Sequence, residues 1–412
     1  MQKILEEMNP WWSKKGADVG IRRDNYLAFL EKNLQNKEIL MLLGSRRVGK
    51  TTIMKQWIEE LMTKHGVAAK QILYVFLDHP QLEQYSIIDI VNNAKKMLKI
   101  QDRFYVFLDE IQYRKKWDQE LKALYELGNI KFLISGSAIT LLNKQKTFLT
   151  GRYLKQHVYP LNFLEFQEFS EETSLNNYLK TGGYPEYVLQ KDPQYLFSLI
   201  DHVVYKDIVE VYGIRNPKAI ADLLLILARS AGHRISLNKI ANTLKIAIET
   251  VRDYLHYLEE VYLIFSVPKF SRSLNEQLYN QKKYYFYDNG LCRALNGQVN
   301  LGSLAENLLA NNLRQSNREL YYFYEKGLEC DFVTKELSAA GKEKFISFES
   351  KFLPPDEILS FSDDRLQGFY QAMDKLLADG IIVTNNQTDQ TRYANKQVRQ
   401  IPLQDMLCQT TT

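Results

Sequence analysis

Residues 39–56 read ILMLLGSRRVGKTTIMKQ, and this stretch decides the fold of the first part of the chain. An apolar run, Ile39 to Leu43, breaks into Gly44-Ser45-Arg46-Arg47-Val48-Gly49-Lys50-Thr51, the pattern G-x-x-x-x-G-K-[ST]. A phosphate chain wrapped by backbone N–H groups needs a loop without obstructing side chains, and glycines at both ends allow the turn and the close approach. The segment that follows has helical character, so the loop feeds a helix N-terminus, where unpaired N–H groups and the dipole favour an anion. Lys50 can reach the outer phosphates and Thr51 can hold Mg²⁺. The expected cofactor-binding run is Gly44, Ser45, Arg46, Arg47, Val48, Gly49, Lys50, Thr51 and Thr52.

Downstream, Ile72–Asp78 is apolar on both faces, as a buried parallel strand requires. A helix is expected over 86–99, and then FYVFLDEIQ, Phe104 to Gln112, gives a second apolar strand ending in Asp109-Glu110. Asp109 is placed to hold Mg²⁺ or its water shell, and Glu110 to polarise a water for attack on a γ-phosphate. The strand Lys131–Ser135 runs into Gly136-Ser137. Ser137 is either a γ-phosphate sensor or the cap of a helix starting at Ala138. Arg152, in Thr150-Gly151-Arg152, is of the right type to neutralise transferred phosphoryl charge, within the chain or across a subunit boundary; an ordinary surface ion pair is the alternative. Alternating strands and helices from 39 to 140 imply an open parallel α/β sheet with ligand at the strands' C-terminal edge. Upstream, Asn9-Pro10-Trp11-Trp12 and a helical stretch from Asn25 to Leu34 either cover a base or pack on the sheet edge.

The whole chain sets the bounds. Its 412 residues suggest about two to four domains. Net charge is +4, from 53 basic and 49 acidic residues, too balanced to argue nucleic-acid binding from bulk charge. Three scattered cysteines, Cys292, Cys330 and Cys408, exclude a disulfide framework and zinc spacing, so a reducing cytoplasm is expected. No secretory apolar core and no run of membrane-spanning length is seen, so no membrane partner is expected.

The second half changes character. Residues 157–215 read as a helical lid or connector with one turn at Gly182-Gly183-Tyr184-Pro185. Helices over 219–231, 236–244 and 249–260, then strands 262–267 and 283–287 around a basic loop with Lys269, Arg272 and Lys282, follow the order of a winged helix-turn-helix. Glu249, Asp253, Glu259 and Glu260 make the third helix acidic, so the module is either a DNA reader or a spacer and protein contact. Ser303-Leu304-Ala305-Glu306 has capping-box form. Strands 319–324, 328–333 and 345–352 follow, then a helix over 365–378 and a strand over 380–384. Side chains alternate along strands, so Asp331, Glu349 and Lys351 converge if these strands pair. Two carboxylates can hold Mg²⁺ and a lysine can orient a water, as in metal-dependent nucleases; a surface ion pair is the competing reading.

The stretches NPWW, LLGSRRVGKTT, FLDEIQ, LISGSA, TGRY with PLNFLEF, GGYPEYV, YFYDNGL, ECDFV and FESK run in order along nearly the whole chain. Together they resemble the prokaryotic predicted-ATPase family, related to the AAA+ class, that joins a P-loop core to a winged helix and a restriction-endonuclease-like domain of unknown function. The resemblance implies ATP binding, slow hydrolysis, use of Mg²⁺ and a link to nucleic acid. It implies that Lys50, Glu110 and Arg152 serve catalysis, Ser137 senses nucleotide, and Glu306, Asp331, Glu349 and Lys351 match the nuclease-like positions. Ser350 departs from the apolar residue usual there. The expected architecture is α/β: a P-loop NTPase core with a parallel sheet (1–156), a helical connector (157–216), a winged helix-turn-helix (217–290) and an α/β restriction-endonuclease-like domain (291–412). The expected function is that of an ATPase coupling nucleotide state to a DNA-acting module; the alternative is a nucleotide-switched interaction protein without nuclease activity.

Overall fold

Strand β1 (Ile39–Leu43) is buried at all five residues. An unbroken apolar run is what a strand covered on both faces needs. In this computed structural model, which describes residues 1–13, 19–137, 148–297, 300–316, 318–337, 341–354 and 356–408, the chain forms two compact units. The first comprises Met1–Tyr159 with Glu260–Tyr262; the second comprises Pro160–Glu259 with Leu263–Thr412.

The first unit is built on five strands in the order β2-β3-β4-β1-β5, where β2 is Ile72–Phe76, β3 Phe104–Asp109, β4 Ile130–Gly136 and β5 Tyr153–His157. Every pairing is parallel. Helices Lys50–Thr63, Ile87–Leu98 and Trp117–Glu126 connect the strands, each turning an apolar face inward, such as Ile87, Ile90, Val91 and Ala94 of the second. The helix start expected at Ala138 lies outside the described residues.

Strand β2 is at the edge of this sheet, and its open backbone is covered by the N-terminal segment. The Asn9 side chain copies a neighbouring strand: its Nδ2 donates to Tyr74 O at 2.9 Å and its Oδ1 accepts from Tyr74 N at 2.7 Å. Trp12 Nε1 donates to Ile72 O at 2.8 Å. Of the two roles open to this segment, the geometry therefore gives the edge cover to Asn9, Trp11 and Trp12. An exposed sheet edge is a template for unwanted pairing, and covering it removes that hazard.

The second unit begins with the helices Phe163–Phe169, Leu175–Thr181, Pro185–Gln190 and Pro193–His202. The turn between the second and third requires glycine at 183: a Cβ there would stand 2.2 Å from Leu161 O. Gly183 N donates to the buried carboxylate of Asp288 at 2.6 Å, which fastens the turn to the segment just after residue 286. Helices Pro217–Arg229, Leu237–Leu244 and Ile248–Glu260 follow, the second capped by Ser236, whose side chain accepts from Lys239 N. Val251, Tyr254, Leu255 and Leu258 face inward, as their spacing requires. Strands β6 (Ile264–Val267) and β7 (Lys283–Phe286) pair antiparallel. The connection between them is more than a basic loop: it contains a helix, Leu274–Tyr279, that leaves Leu274, Leu278 and Tyr279 exposed.

A six-stranded mixed sheet completes this unit in the order β12-β13-β11-β10-β9-β8, with β8 Glu319–Glu325, β9 Leu328–Leu337, β10 Glu343–Lys351, β11 Asp379–Thr384, β12 Asp389–Tyr393 and β13 Lys396–Pro402. Its core gathers Phe323, Cys330, Val333, Leu366, Phe369, Met373, Ile382 and Val398. Helix Leu301–Gln315 is capped by Asn300, whose Oδ1 accepts from Ser303 N at 3.1 Å. The capping-box reading of Ser303 and Glu306 is thereby corrected: the helix starts earlier, and Glu306 lies in its interior.

The Asn9 contact gives a direct test of the edge cover. Asn9→Ala leaves a buried N–H and C=O of Tyr74 without partners, at about 1–3 kcal/mol for each such group, so the urea midpoint should fall clearly. Trp11→Phe, which shrinks a buried ring but leaves Ile72 O bonded to Trp12 Nε1, should fall less. Tryptophan fluorescence on urea titration reads both.

Candidate functional site

The loop after β1 turns back over the sheet's C-terminal edge. At Gly44 a Cβ would lie 2.0 Å from Val158 O, so no other residue fits the backbone there. Gly49 has φ +97°, in the region that favours glycine, and opens the helix Lys50–Thr63. Lys50 is buried, and its Nζ donates to Gly44 O at 2.9 Å and Ser45 O at 2.8 Å. Ser45 and Val48 are buried, Arg47 is exposed with φ 61°, and Thr51 and Thr52 are half-buried on the first helical turn. Arg46 stacks over Tyr113, its guanidinium carbon 5.9 Å from the ring centre, and donates to that tyrosine's hydroxyl.

Beneath the loop sits a residue that motif reading missed. Arg23 is 2% exposed, and its Nη1 donates to Val48 O at 2.7 Å while its Nη2 donates to Tyr159 O at 3.1 Å. Its guanidinium lies over the Tyr26 ring at 4.6 Å. Arg23 thus fixes the underside of the loop and adds positive charge where an anion is expected. Nothing in the polar run Arg22-Arg23-Asp24-Asn25 singles this arginine out in the sequence.

Asp109, at the end of β3, is fully buried. Thr51 Oγ1 donates to its Oδ2 at 2.6 Å and Tyr74 OH to the same oxygen at 2.8 Å, while Ser135 Oγ donates to Oδ1. Burial, and then the Asp109 charge, push the Tyr74 hydroxyl well above its ordinary pKa, so it stays a donor. An alcohol oxygen beside a carboxylate oxygen is the donor set that suits Mg²⁺.

Glu110 leaves the strand with φ 58°. Its N–H donates to Ser135 Oγ at 3.0 Å. Gln112 Nε2 donates to its carboxylate and, at 2.7 Å, to Ser137 Oγ, which itself donates to Glu110 Oε2 at 3.3 Å. Burial pushes the Glu110 carboxyl up; Lys50, Gln112, Arg46 and Ser137 together outweigh it, so the net shift is downward and the group is held ionised. A buried, ionised carboxylate held this way can accept a proton from water.

The structure therefore brings Lys50, Thr51, Asp109, Glu110 and Ser137 together. It does not bring Arg152 to them. Arg152 precedes β5, whose Tyr153 pairs with Ile39 at the start of β1, so it sits at the sheet edge opposite the loop, roughly 17 Å away by strand rise. There it pairs with Glu126 at 3.1 Å. Of the two placements open for this arginine, action on the loop of its own chain is ruled out by that register.

A second charged cluster lies in the other unit. Where the β9–β10 ladder ends at Phe332 and Phe348, side chains continue it: Asp331 N donates to Glu349 Oε2 at 3.1 Å and Ser350 N to Asp331 Oδ2 at 2.9 Å. Lys351 Nζ donates to Glu349 Oε1 at 2.5 Å. Lys283, 1% exposed on β7, places its Nζ 2.8 Å from Glu329 Oε1, 3.4 Å from Glu306 Oε1 and 3.7 Å from Asp331 Oδ1. Tyr285 OH donates to Glu306 Oε1 at 2.7 Å. Burial lowers the Lys283 pKa, but Glu306, Asp331 and Glu329 more than reverse this, so it stays charged. Burial, then the Asp331 charge, push both Glu306 and Glu349 above the ordinary carboxyl value. The convergence of Asp331, Glu349 and Lys351 expected from strand alternation is present. Among the described residues, however, no group of three or more His, Cys, Asp and Glu is arranged to hold a metal ion. Also among them, no helix is long and apolar enough to cross a membrane.

Comparison with known proteins adds relatives to this geometry. Residues 36–167 match the AAA domain family, and residues 172–302 match a domain of unknown function, DUF8612. The uncharacterized protein MJ1544 of Methanocaldococcus jannaschii is 32% identical over 362 residues, spanning 78% of this chain and 80% of that one. An uncharacterized protein of Haemophilus influenzae is 28% identical over 339 residues, spanning 77% and 84%. Among solved structures, the Aeropyrum pernix ORC2 protein is similar at 12% identity with a TM-score of 0.39, covering 70% of this chain and 92% of that one. Carrying an AAA domain with its phosphate loop and Asp-Glu strand end, and sharing 32% identity with MJ1544 over four-fifths of that protein's length, the chain belongs to a family of predicted AAA+-related P-loop ATPases.

Proposed function

We propose that the protein is a Mg²⁺-dependent ATPase whose nucleotide state switches the module at 217–290. The observation that carries this reading is the Glu110 carboxylate, buried and ionised beside the Thr51–Asp109 oxygen pair and within electrostatic range of Lys50. In this reading Gly44 to Thr52 wrap the phosphates, Lys50 neutralises their charge, and Thr51 and Asp109 hold Mg²⁺, which would supply charge neutralisation at the phosphates. Glu110 accepts the proton of the attacking water, and Ser137 reports on the γ-phosphate through Gln112. Arg152 acts, if on a nucleotide at all, on that of a second copy. The domains are read as an ATPase core (1–156), helical connector (157–216), winged helix (217–290) and nuclease-like sheet domain (291–412), in a cytoplasmic protein.

For the module that is switched, the interaction-protein reading is favoured over DNA reading by one feature. On helix Ile248–Glu260 the exposed Arg252 lies 3.5 Å from Glu249 and next to Asp253, so that face carries more negative than positive charge toward any groove. Major-groove reading of guanine relies on free arginine or lysine donors, and like charge repels the phosphates.

Lys50→Ala should abolish binding of a fluorescent ATP analogue. Glu110→Gln should keep binding but slow phosphate release about 10²–10⁴-fold, the range for loss of a general base. Hydrolysis by Glu110→Gln at the wild-type rate would remove Glu110 from catalysis.

The pH profile is a separate check. kcat/KM reports the free enzyme's groups, and the Glu110 carboxyl lies below the ordinary glutamate value there. The acidic limb of kcat/KM should accordingly fall at lower pH than an ordinary glutamate would give, and Ser137→Ala, which removes one donor to the carboxylate, should move it upward.

Phosphate release measured with a panel of duplex DNA, single-stranded DNA and RNA tests the second half. The interaction reading expects no stimulation by any of them; several-fold stimulation by one class would return the module to nucleic-acid work.

A further inference from the structure

We infer that the ammonium of Lys283 occupies the seat a divalent cation would take among the carboxylates of the C-terminal sheet, making this cluster a metal-free ion knot and not a nuclease centre. The inference stands apart from the nucleotide site and does not depend on it. It rests on what each carboxylate oxygen is already doing.

Lys283 Nζ reaches three carboxylates from two separate elements: Glu306 of helix Leu301–Gln315, and Glu329 and Asp331 of β9. Most of the other oxygens are committed as well. Glu329 Oε2 takes Arg234 Nε at 3.0 Å, Asp331 Oδ2 takes Ser350 N, and Glu306 Oε1 also takes the Tyr285 hydroxyl. Both oxygens of Glu349 are used, one by Lys351 Nζ and one by Asp331 N. The lysine that would have oriented a water on a metal is instead an ion-pair partner.

Charge makes the same point. Lys283, Lys351 and Arg234 place three positive groups against four carboxylates, Glu306, Glu329, Asp331 and Glu349. A divalent ion added to this set would meet positive groups that already face these carboxylates, so Lys283 would have to leave. Lys283 is 1% exposed, and moving it out would strand its charge in the interior or require the ribbon strand β7 to shift. Magnesium also demands oxygens at about 2.0–2.1 Å in near-octahedral array, tighter than the ammonium contacts here.

The knot has a structural consequence. It ties β7, helix Leu301–Gln315 and β9 together through one buried cation, and Arg234, bridged to Lys283 along the backbone, extends it.

Binding of Mn²⁺ to the nucleotide-free full chain, followed by electron paramagnetic resonance, tests this. Wild type and Asp331→Asn should bind the same amount of Mn²⁺, and neither should cleave duplex or single-stranded DNA with Mg²⁺ or Mn²⁺. Lys283→Ala, which empties the seat, should gain one equivalent of bound Mn²⁺ that Lys283→Ala with Asp331→Asn lacks. Mn²⁺ bound by wild type and lost in Asp331→Asn would overturn the inference, as would metal-dependent cleavage lost in Lys351→Ala. Those wild-type comparisons decide the matter even where Lys283→Ala does not fold; a folded Lys283→Ala chain that gains no Mn²⁺ would also overturn it.

Discussion

One buried charge organises the first unit. The Asp109 carboxylate is removed from solvent at the end of β3, and an ion in that position must be satisfied by neighbours or it is lost as a charge. Three hydroxyls supply what water cannot: Thr51 from the loop helix, Tyr74 from β2 and Ser135 from β4. The strand order sets two of these elements beside β3, since β2 and β4 are its neighbours. A change in what Asp109 binds is therefore felt at once by the strand on either side and by the phosphate loop. The same serine that serves Asp109 also accepts the N–H of Glu110, so the two acidic residues are positioned by a single side chain. Removing either acid would disturb the other, and paired effects at this site should not be expected to add.

Glu110 shows how backbone and side chains divide the work. Its left-handed backbone ends the strand and turns the carboxylate away from the ladder, at a local cost that surrounding bonds offset. Gln112 and Ser137 then hold the carboxylate from β4's side of the sheet. Ser137, Gln112 and Glu110 are thus one hydrogen-bonded set. Loss of one donor would leave the carboxylate both less fixed and easier to protonate.

The fold of the first unit was legible because its signals are local. An apolar strand, a glycine loop and a helix start lie within eighteen consecutive residues, and Asp109-Glu110 adjoin the strand that carries them. Tyr74, Ser135, Gln112 and Arg23 were not legible. Tyr74 meets Asp109 across 35 residues and Ser135 across 26, and only the order of the strands brings them there. Arg23 contacts Val48 across 25 residues through a backbone carbonyl, which carries no residue signature at all. Asn9 is the same case at 65 residues. Action of Arg152 within its own chain failed in the opposite way: residue type and position after the core suggested it, but parallel register puts a strand's first residue and its neighbour's last at opposite edges. In the second unit, alternation brought Asp331, Glu349 and Lys351 to one place, while Lys283, far away in sequence on β7, changed what that place can do.

Two buried lysines show why a shared residue type does not imply a shared role. Lys50 donates to the carbonyls of Gly44 and Ser45, which are neutral. If the ammonium swings to a phosphate, it leaves no buried anion behind at those bonds, and the incoming ligand brings the opposite charge with it. Lys283 faces carboxylates from two elements. Withdrawing it would leave buried anions uncompensated, a loss of about 3–5 kcal/mol when one partner of a buried pair is removed. The first arrangement is set up to exchange partners and the second to resist exchange. That asymmetry separates the two lysines, and it supports the phosphate binding proposed for the loop and the fastening proposed for the carboxylate cluster.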